Sequence, residues 1–382
     1  MNVLLIDDEA KNGWQEVIEK VFFNGNSIDI ADNKLDAIEK VKNKKFDLIF
    51  LDIRFGEEDH KVFDICKMSG YQILTKDIRS TFKSLNFSTP VLAFTASNKV
   101  WNIFELLDAG ADDYYIKEHP DNASDIDFSK KNFIRLKGDG RKEGVISNLL
   151  KLGERRRYIL GKINNIDELI NKNIKNENIK KRVNEKLKIG YGLLFKNQST
   201  FESDHFIYSN ESMAFVVFWS ILEEVSKDFF ENYWQINGNE EGTMRDNKWK
   251  LRKSGKFFIE DLRYTNSNHI KGHVKVSIKW NNDRYEVTDQ LLGSNDKNLN
   301  FFIGKVNLST QVYAIMLLDK NWDSNQAKVS FKPLNEYRNE VDFIHSSVSK
   351  IFSSKVCDKD SNLKSYEKCK EILEFIIKLL ED

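Results

Sequence analysis

The sequence predicts an α/β doubly wound, five-stranded parallel sheet, followed by a mostly helical C-terminal domain with a β-hairpin insertion. Three observations carry that expectation. Up to about residue 118, short apolar runs alternate with segments of helical apolar spacing, the pattern of strands joined by crossover helices. Residues 212–234 (SMAFVVFWSILEEVSKDFFENYW) then form a dense aliphatic and aromatic stretch at helical spacing. Between that stretch and the tail, His273–Asn281 and Arg284–Thr288 alternate in steps of two around Asn282-Asp283, as a hairpin does.

The strands are expected at Val3–Asp7, Ile28–Ala31, Asp47–Asp52, Pro90–Ala96 and Asp113–Lys117. Each is short, β-branched or aromatic, and nearly continuous in apolar character, as strands buried on both faces are. Asn12–Phe23, Lys34–Lys42 and Val100–Ala109 lie between them with apolar spacing near that of a helix. Residues 121–200 carry 19 Lys or Arg and 10 Asp or Glu, densest at Arg155-Arg156-Arg157 and Lys180-Lys181-Arg182. Leu149, Leu152, Ile159, Ile163, Ile166 and Ile170 keep helical spacing through it, so this stretch includes an amphipathic helix. It reads either as a linker helix with a solvated basic face or as a path for an acidic partner such as RNA. Pro333 suits the first turn of a helix over Leu334–Ile351, and Tyr366–Leu380 gathers Ile372, Leu373, Phe375, Ile376 and Leu379 on one side. The expected division is therefore a sheet domain over 1–125, a basic helical linker over 126–190 and an effector domain over 191–382.

Composition excludes several classes. The 382 residues hold 59 Lys plus Arg against 59 Asp plus Glu, so no globally basic coat serves nucleic-acid binding. Cys66, Cys357 and Cys369 are the only cysteines, an odd, scattered set that argues against a disulfide framework and a four-ligand zinc site. The first apolar run, Val3–Ile6, is too short for a signal peptide, and no later run approaches a membrane span. A cytoplasmic protein without a membrane partner is expected.

The polar residues at the expected strand ends form a chemical set. Asp7-Asp8 close the first strand, Asp52 the third, Thr95 the fourth and Lys117 the fifth. In an open parallel sheet these ends converge on one edge, where ligands bind. Three carboxylates there repel one another unless a hard divalent cation such as Mg²⁺ sits among them. A threonine hydroxyl and a lysine ammonium beside them suit a phosphoryl group. This set, with the run AGADDYYIK over Ala109–Lys117, resembles the receiver domain of two-component response regulators, a flavodoxin-like fold. The resemblance covers about residues 1–120 and implies Asp52 as the phosphoacceptor, with Asp7, Asp8 and Asp52 holding Mg²⁺. It also implies that Thr95 binds a phosphoryl oxygen, that Lys117 pairs with the phosphoryl group, and that Tyr114 is the switch aromatic. A histidine kinase or phosphotransfer protein is the implied partner. Between Asp52 and Ile78-Arg79 the chain is longer than in most such domains and includes the acidic turn Glu57-Glu58-Asp59, so an enlarged loop over the site is expected.

In the C-terminal half the constellation that stands out is PLNEYRNEVDFIH, Pro333 to His345. Arg338, Asn339 and His345 on one helix place a phosphate-binding cation, an amide and a proton-transfer group together, a set able to cleave RNA without a metal. The same residues fit a structural reading, in which Arg338 pairs with Asp342 one turn on. The stretch resembles the Arg-Asn…His motif of HEPN domains, helical modules that often dimerise and act as endoribonucleases. That resemblance covers about residues 190–380 and implies a homodimer and an endoribonuclease; together with the receiver resemblance it gives the expectation of a phosphorylation-gated ribonuclease, with antiphage defence as one setting. A non-catalytic dimerisation or docking module is the alternative, and a transcriptional regulator a third reading.

Overall fold

The computed structural model describes residues 1–56, 58–95, 100–117, 134–139, 143–195, 210–238, 244–245, 248–249, 262–263, 272–280, 283–292, 308, 311–312, 315–316, 324–341 and 359–381. It separates into two compact units, Met1–Gly161 with Phe195–Glu202 and Lys162–Leu194 with Ser203–Asp382.

The first unit is built on a five-stranded sheet in the order β2-β1-β3-β4-β5. Its strands are β1 (Val3–Ile6), β2 (Asp29–Ala31), β3 (Leu48–Leu51), β4 (Val91–Thr95) and β5 (Asp113–Ile116), all paired in parallel. Between them run α1 (Gln15–Phe22), α2 (Lys34–Asn43), α3 (Ser69–Gln72, continued by a π-helical turn to Ile78) and α4 (Val100–Asp108). Successive strand side chains point to opposite faces, and both faces are covered. Leu4, Ile6, Ile49, Leu51 and Ala93 pack with Ala37, Val41, Ile73, Leu74 and Leu106 on one side. Val3, Leu5, Leu48, Phe50, Leu92 and Phe94 pack with Ile18, Phe23 and Tyr115 on the other. Two-sided burial is why the strands read as unbroken apolar runs. Each fully buried Leu, Ile or Phe contributes about 1.5–3 kcal/mol. Local signals agree with this core: the Asn33 side chain caps α2 by accepting from Asp36 N–H at 3.0 Å. Buried Asn86 donates to the Lys44 carbonyl at 2.8 Å and accepts from Phe46 N–H at 2.9 Å, which ties the end of α2 to the approach to β3.

Helix α5 (Val145–Asn173) shows what the basic stretch does. Its first turns bring Ile146 and Leu149 into the second sheet-face cluster beside Leu136. Of the run Arg155-Arg156-Arg157, Arg156 is buried. Its guanidinium lies 2.5 Å from Asp112, whose other oxygen is 2.9 Å from Arg79. Burial works to raise the Asp112 carboxyl, and Arg156 and Arg79 outweigh it and hold the group below its ordinary range. Within the region expected as a linker, the part through Gly161 thus groups with the sheet, and Lys162 onward with the second unit.

The second unit contains the rest of α5, then α6 (Glu177–Phe195), α7 (Asn210–Gly238), α8 (Ser324–Glu340) and α9 (Lys359–Leu380). Helices α7, α8 and α9 pack together around Phe215, Phe218, Trp219, Phe331, Ile372 and Phe375, all buried. Trp219 stacks on Phe331 at 5.9 Å and Phe215 meets Tyr337 edge-on at 4.7 Å. Inside this core the Tyr337 hydroxyl donates to Ser365 Oγ at 2.7 Å, and Ser365 Oγ lies 3.0 Å from Ser212 Oγ. At the side, Arg182 and Lys186 bond Glu224 and pull its carboxyl down to about 2, Arg182 contributing most. Strands β6 (Met244–Arg245) and β7 (Lys248–Trp249) pair antiparallel, as do β8 (Leu262–Arg263), β9 (Gly272–Trp280) and β10 (Asp283–Leu292) in the order β10-β9-β8. Among the described residues no helix is long and apolar enough to cross a membrane.

One expectation needs correction. Pro333 does not open a helix but lies inside α8, which starts at Ser324. Phe331, Leu334 and Tyr337 are buried on both sides of the proline, and their packing outweighs the cost of about 3 kcal/mol for an interior proline. The described helix ends at Glu340, with Val341 in a bend. Cys66 is exposed, whereas Cys369 is buried and its thiol donates to the Glu211 carbonyl at 3.3 Å.

Candidate functional site

The strand ladder places the acidic residues. Asp7 N–H continues the β1–β2 pairing by donating to the Ala31 carbonyl at 3.0 Å, and Asp52 N–H donates to the Ile6 carbonyl at 2.9 Å. Lys117 N–H donates to the Thr95 carbonyl at 2.7 Å just beyond the paired residues of β4 and β5. Because β1, β3, β4 and β5 are neighbours in the sheet, Asp7, Asp8, Asp52, Thr95 and Lys117 all lie at its carboxyl edge. Their backbones are fixed by core strands, so their side chains start from rigid anchors.

Asp7, Asp8 and Asp52 each offer a carboxylate oxygen, and these oxygens lie within 4.8 Å of one another. Asp7, Asp52, Thr95 and Lys117 are buried, while Asp8 is exposed. The Lys117 ammonium bridges the buried pair, donating to Asp7 Oδ2 at 2.9 Å and to Asp52 Oδ2. It also sits 5.5 Å from the centroid of the Phe94 ring. Backbone donors complete the set: Glu9 N–H to Asp7 Oδ1 at 3.0 Å, Arg54 N–H to Asp52 Oδ1 at 3.2 Å and Gly56 N–H to Asp8 Oδ2 at 2.8 Å.

The electrostatics follow from burial and charge count. Burial drives the Asp52 carboxyl up to about 6, Lys117 pulls it back, and neighbouring Asp7 pushes it further up. Burial acts to lower the Lys117 ammonium, but Asp52 and Asp7 outweigh that and leave it raised. One ammonium thus faces a group of three carboxylates and leaves negative charge uncompensated. That residue composition, all hard oxygen donors with a solvent-exposed side at Asp8, fits a divalent cation such as Mg²⁺.

Tyr114 lies on β5, half-buried against the sheet core. The Arg135 guanidinium covers its ring at 5.0 Å and pairs with Asp113 at 2.9 Å. The connection from β3 to α3, where an enlarged loop is expected, is folded among its described residues. It contains single turns at Asp59–Lys61 and Ile65–Lys67, with Ile65 and Met68 buried. Gly70 backs directly onto the site: a Cβ there would lie 2.1 Å from the Asp52 carbonyl oxygen and 2.7 Å from Ile53 Cα. Sequence reasoning missed Gly56, Asp59 and Gly70, because their roles depend on backbone approaches that no local pattern reveals.

The C-terminal set is less complete. Arg338 and Asn339 are neighbours in the last turn of α8, and Arg338 Nη1 donates to Asn339 Oδ1 at 3.3 Å. His345 lies outside the described residues, as do Asp342 and the rest of the expected helix to Ile351.

Residues 3–123 match the family described as response regulator receiver domain. The chain is 34% identical over 126 residues to the transcriptional regulatory protein ZraR of Klebsiella oxytoca, a segment that is 31% of this chain and 23% of that protein. It is 30% identical over 117 residues to the response regulator MprA of Mycobacterium leprae (strain TN), again 31% of this chain and 44% of that protein. A crystal structure of a two-component response regulator from Clostridium difficile aligns at 30% identity and a TM-score of 0.25, covering 35% of this chain and 94% of that one. The chain therefore spans less than half the length of each of these two curated relatives.

Proposed function

We propose that this chain, whose residues 3–123 are a response regulator receiver domain, accepts a phosphoryl group on Asp52 and uses it to govern the C-terminal unit. The observation that carries this reading is the Lys117 ammonium bonded to both Asp7 and Asp52 at the sheet edge. Asp7 and Asp52 are both buried, share the Lys117 ammonium and each accept a backbone N–H on the other oxygen; the receiver-domain resemblance is what gives the acceptor role to Asp52. As nucleophile it forms the new P–O bond while the bond from phosphorus to the donor breaks. A phosphohistidine on a kinase or phosphotransfer protein leaves as the imidazole. Lys117 stays with the incoming negative charge, and the Thr95 hydroxyl donates to a phosphoryl oxygen. Asp7, Asp8 and Asp52 would hold a Mg²⁺ ion, which would supply charge compensation for the phosphoryl oxygens.

Phosphorylation adds about −1.5 to −2 charges at one point. Thr95 ends β4 and Tyr114 lies on the adjacent β5, so a shift at Thr95 is passed to the face formed by α4 and β5. Phe104 on α4 is 55% exposed, an apolar group suited to pairing two copies on that face.

For the output, the reading rests on the sequence resemblance of Arg338, Asn339 and His345 to the HEPN motif. In it His345 moves the proton of an RNA 2′-hydroxyl and Arg338 stabilises the crowded phosphate. ZraR is named for transcriptional regulation and MprA as a response regulator, but the family match ends at residue 123, so the second unit is argued on its own residues. RNA integrity over time, with and without beryllofluoride as a phosphoryl mimic, tests the proposal in wild type, Asp52→Ala and His345→Ala. Cleavage that needs His345, and that responds to beryllofluoride only when Asp52 is present, supports it. Intact RNA with a beryllofluoride-dependent change in oligomeric state moves the C-terminal unit to a docking role.

A further inference from the structure

In the acidic turn Glu57-Glu58-Asp59, Glu58 is exposed. Asp59, one residue on, has only 4% exposure. Burying a carboxylate is costly unless donors meet it, and here the chain supplies them. Ser69 N–H donates to both carboxylate oxygens at 3.2 and 3.1 Å, and Ser69 Oγ donates to Oδ1 at 3.2 Å. Phe55 N–H donates to Oδ2 at 3.1 Å. Asp59 N–H in turn donates to the Gly56 carbonyl at 3.1 Å. One side chain therefore joins the start of the enlarged loop to the start of α3 and closes the loop on itself.

The fixed end of that loop touches the acidic site. Gly56 follows Phe55 directly and its φ of +104° lies in the left-handed region that glycine adopts without strain. In that conformation its N–H reaches Asp8 Oδ2 at 2.8 Å. Asp8 is the exposed member of the carboxylate triad and so the one with most freedom to leave it. The Gly56 N–H is held in place by Asp59 on both sides, through Phe55 N–H and through the Gly56 carbonyl.

We propose that Asp59 is a positioning residue for the acidic site: it fixes the loop whose Gly56 N–H orients the Asp8 carboxylate, and thereby sets the affinity for Mg²⁺. This rests on the reading of Asp7, Asp8 and Asp52 as the Mg²⁺ ligands. Outer partners that orient metal ligands are worth about 10–100-fold in metal affinity. The assignment gives the extra length of this loop a chemical purpose, the tuning of the cation site.

Calorimetric titration of the full chain with Mg²⁺, after chelator treatment, tests it on wild type, Asp59→Ala and Asp59→Asn, each with a circular dichroism melt. Asp8→Asn serves as the reference for a lost ligand. The expected result is Mg²⁺ binding weakened about tenfold in Asp59→Ala, in a chain that still melts cooperatively but at a lower midpoint, because the Ser69 and Phe55 donors lose their acceptor. If Asp59→Ala does not fold, the near-isosteric Asp59→Asn carries the test, and weakened binding in the folded variant supports the assignment. Wild-type affinity in either folded variant overturns it while leaving the triad intact. A wild-type chain that binds no Mg²⁺ overturns the reading of the triad and this assignment with it.

Discussion

Replacing Asp52 by Asn is expected to stabilise the first unit at neutral pH in Mg²⁺-free buffer, because the site holds its carboxylates against their own preference. Burial raises the Asp52 carboxyl from 3.8 to about 6, even with Lys117 bonded to it. Between those two pH values the folded state keeps a proton that the unfolded state has lost, so stability falls as pH rises through that window. The contribution is fully present below pH 3.8 and lost above about 6, and the ionised group costs the fold about 3 kcal/mol at pH 7. Asparagine keeps the shape and carries no charge to desolvate. For a domain of this size each kcal/mol moves the melting midpoint by about 2–4 °C, so Asp52→Asn is expected to melt roughly 6–12 °C higher at pH 7. Calorimetric scans of the full chain in chelator at pH 7 and at acid pH measure the difference. The advantage should shrink as pH falls and vanish below the unfolded carboxyl's range. A variant no more stable than wild type at pH 7, or equally favoured at every pH, would refute the claim that Asp52 is a strained, buried carboxylate.

Asp112→Ala leaves Arg79 and Arg156 buried at 12% and 7% side-chain exposure without their shared carboxylate. Breaking such a buried group is expected to cost about 3–5 kcal/mol, read as a lower urea midpoint, and a change under about 1 kcal/mol would place the pairing in the class of surface bridges. Gly70→Ala pushes a methyl against the Asp52 and Ile53 backbone, which cannot yield as a flexible side chain can. Uptake of phosphoryl from acetyl phosphate is expected to slow by about 10–100-fold, and wild-type kinetics in that variant would show the approach to be looser than its geometry.

The legible parts of this molecule are those fixed by strand identity. Once Val3–Ile6, Leu48–Leu51, Val91–Thr95 and Asp113–Ile116 are read as parallel strands, Asp7, Asp8, Asp52, Thr95 and Lys117 must share one edge. Residues whose roles depend on contacts distant in sequence stayed hidden. Arg156 looks like its neighbours in a basic run, and only the face of α5 that meets Asp112 separates it from Arg155. Asp59 looks like Glu58 until Ser69 and Phe55 bring donors to it. Pro333 misled for a different reason, since a local rule about helix starts gave way to the packing of Phe331, Leu334 and Tyr337. Of the expected set Arg338, Asn339 and His345, the described helix holds Arg338 and Asn339, and His345 lies outside the described residues.

The most direct test of Asp52 as phosphoacceptor is intact and peptide mass spectrometry after incubation with acetyl phosphate and Mg²⁺, wild type beside Asp52→Asn. One added phosphoryl group, carried by the peptide containing Asp52 and absent from the variant, is the expected result. An unmodified wild-type chain, or a variant modified to the same extent, would contradict the assignment of this site.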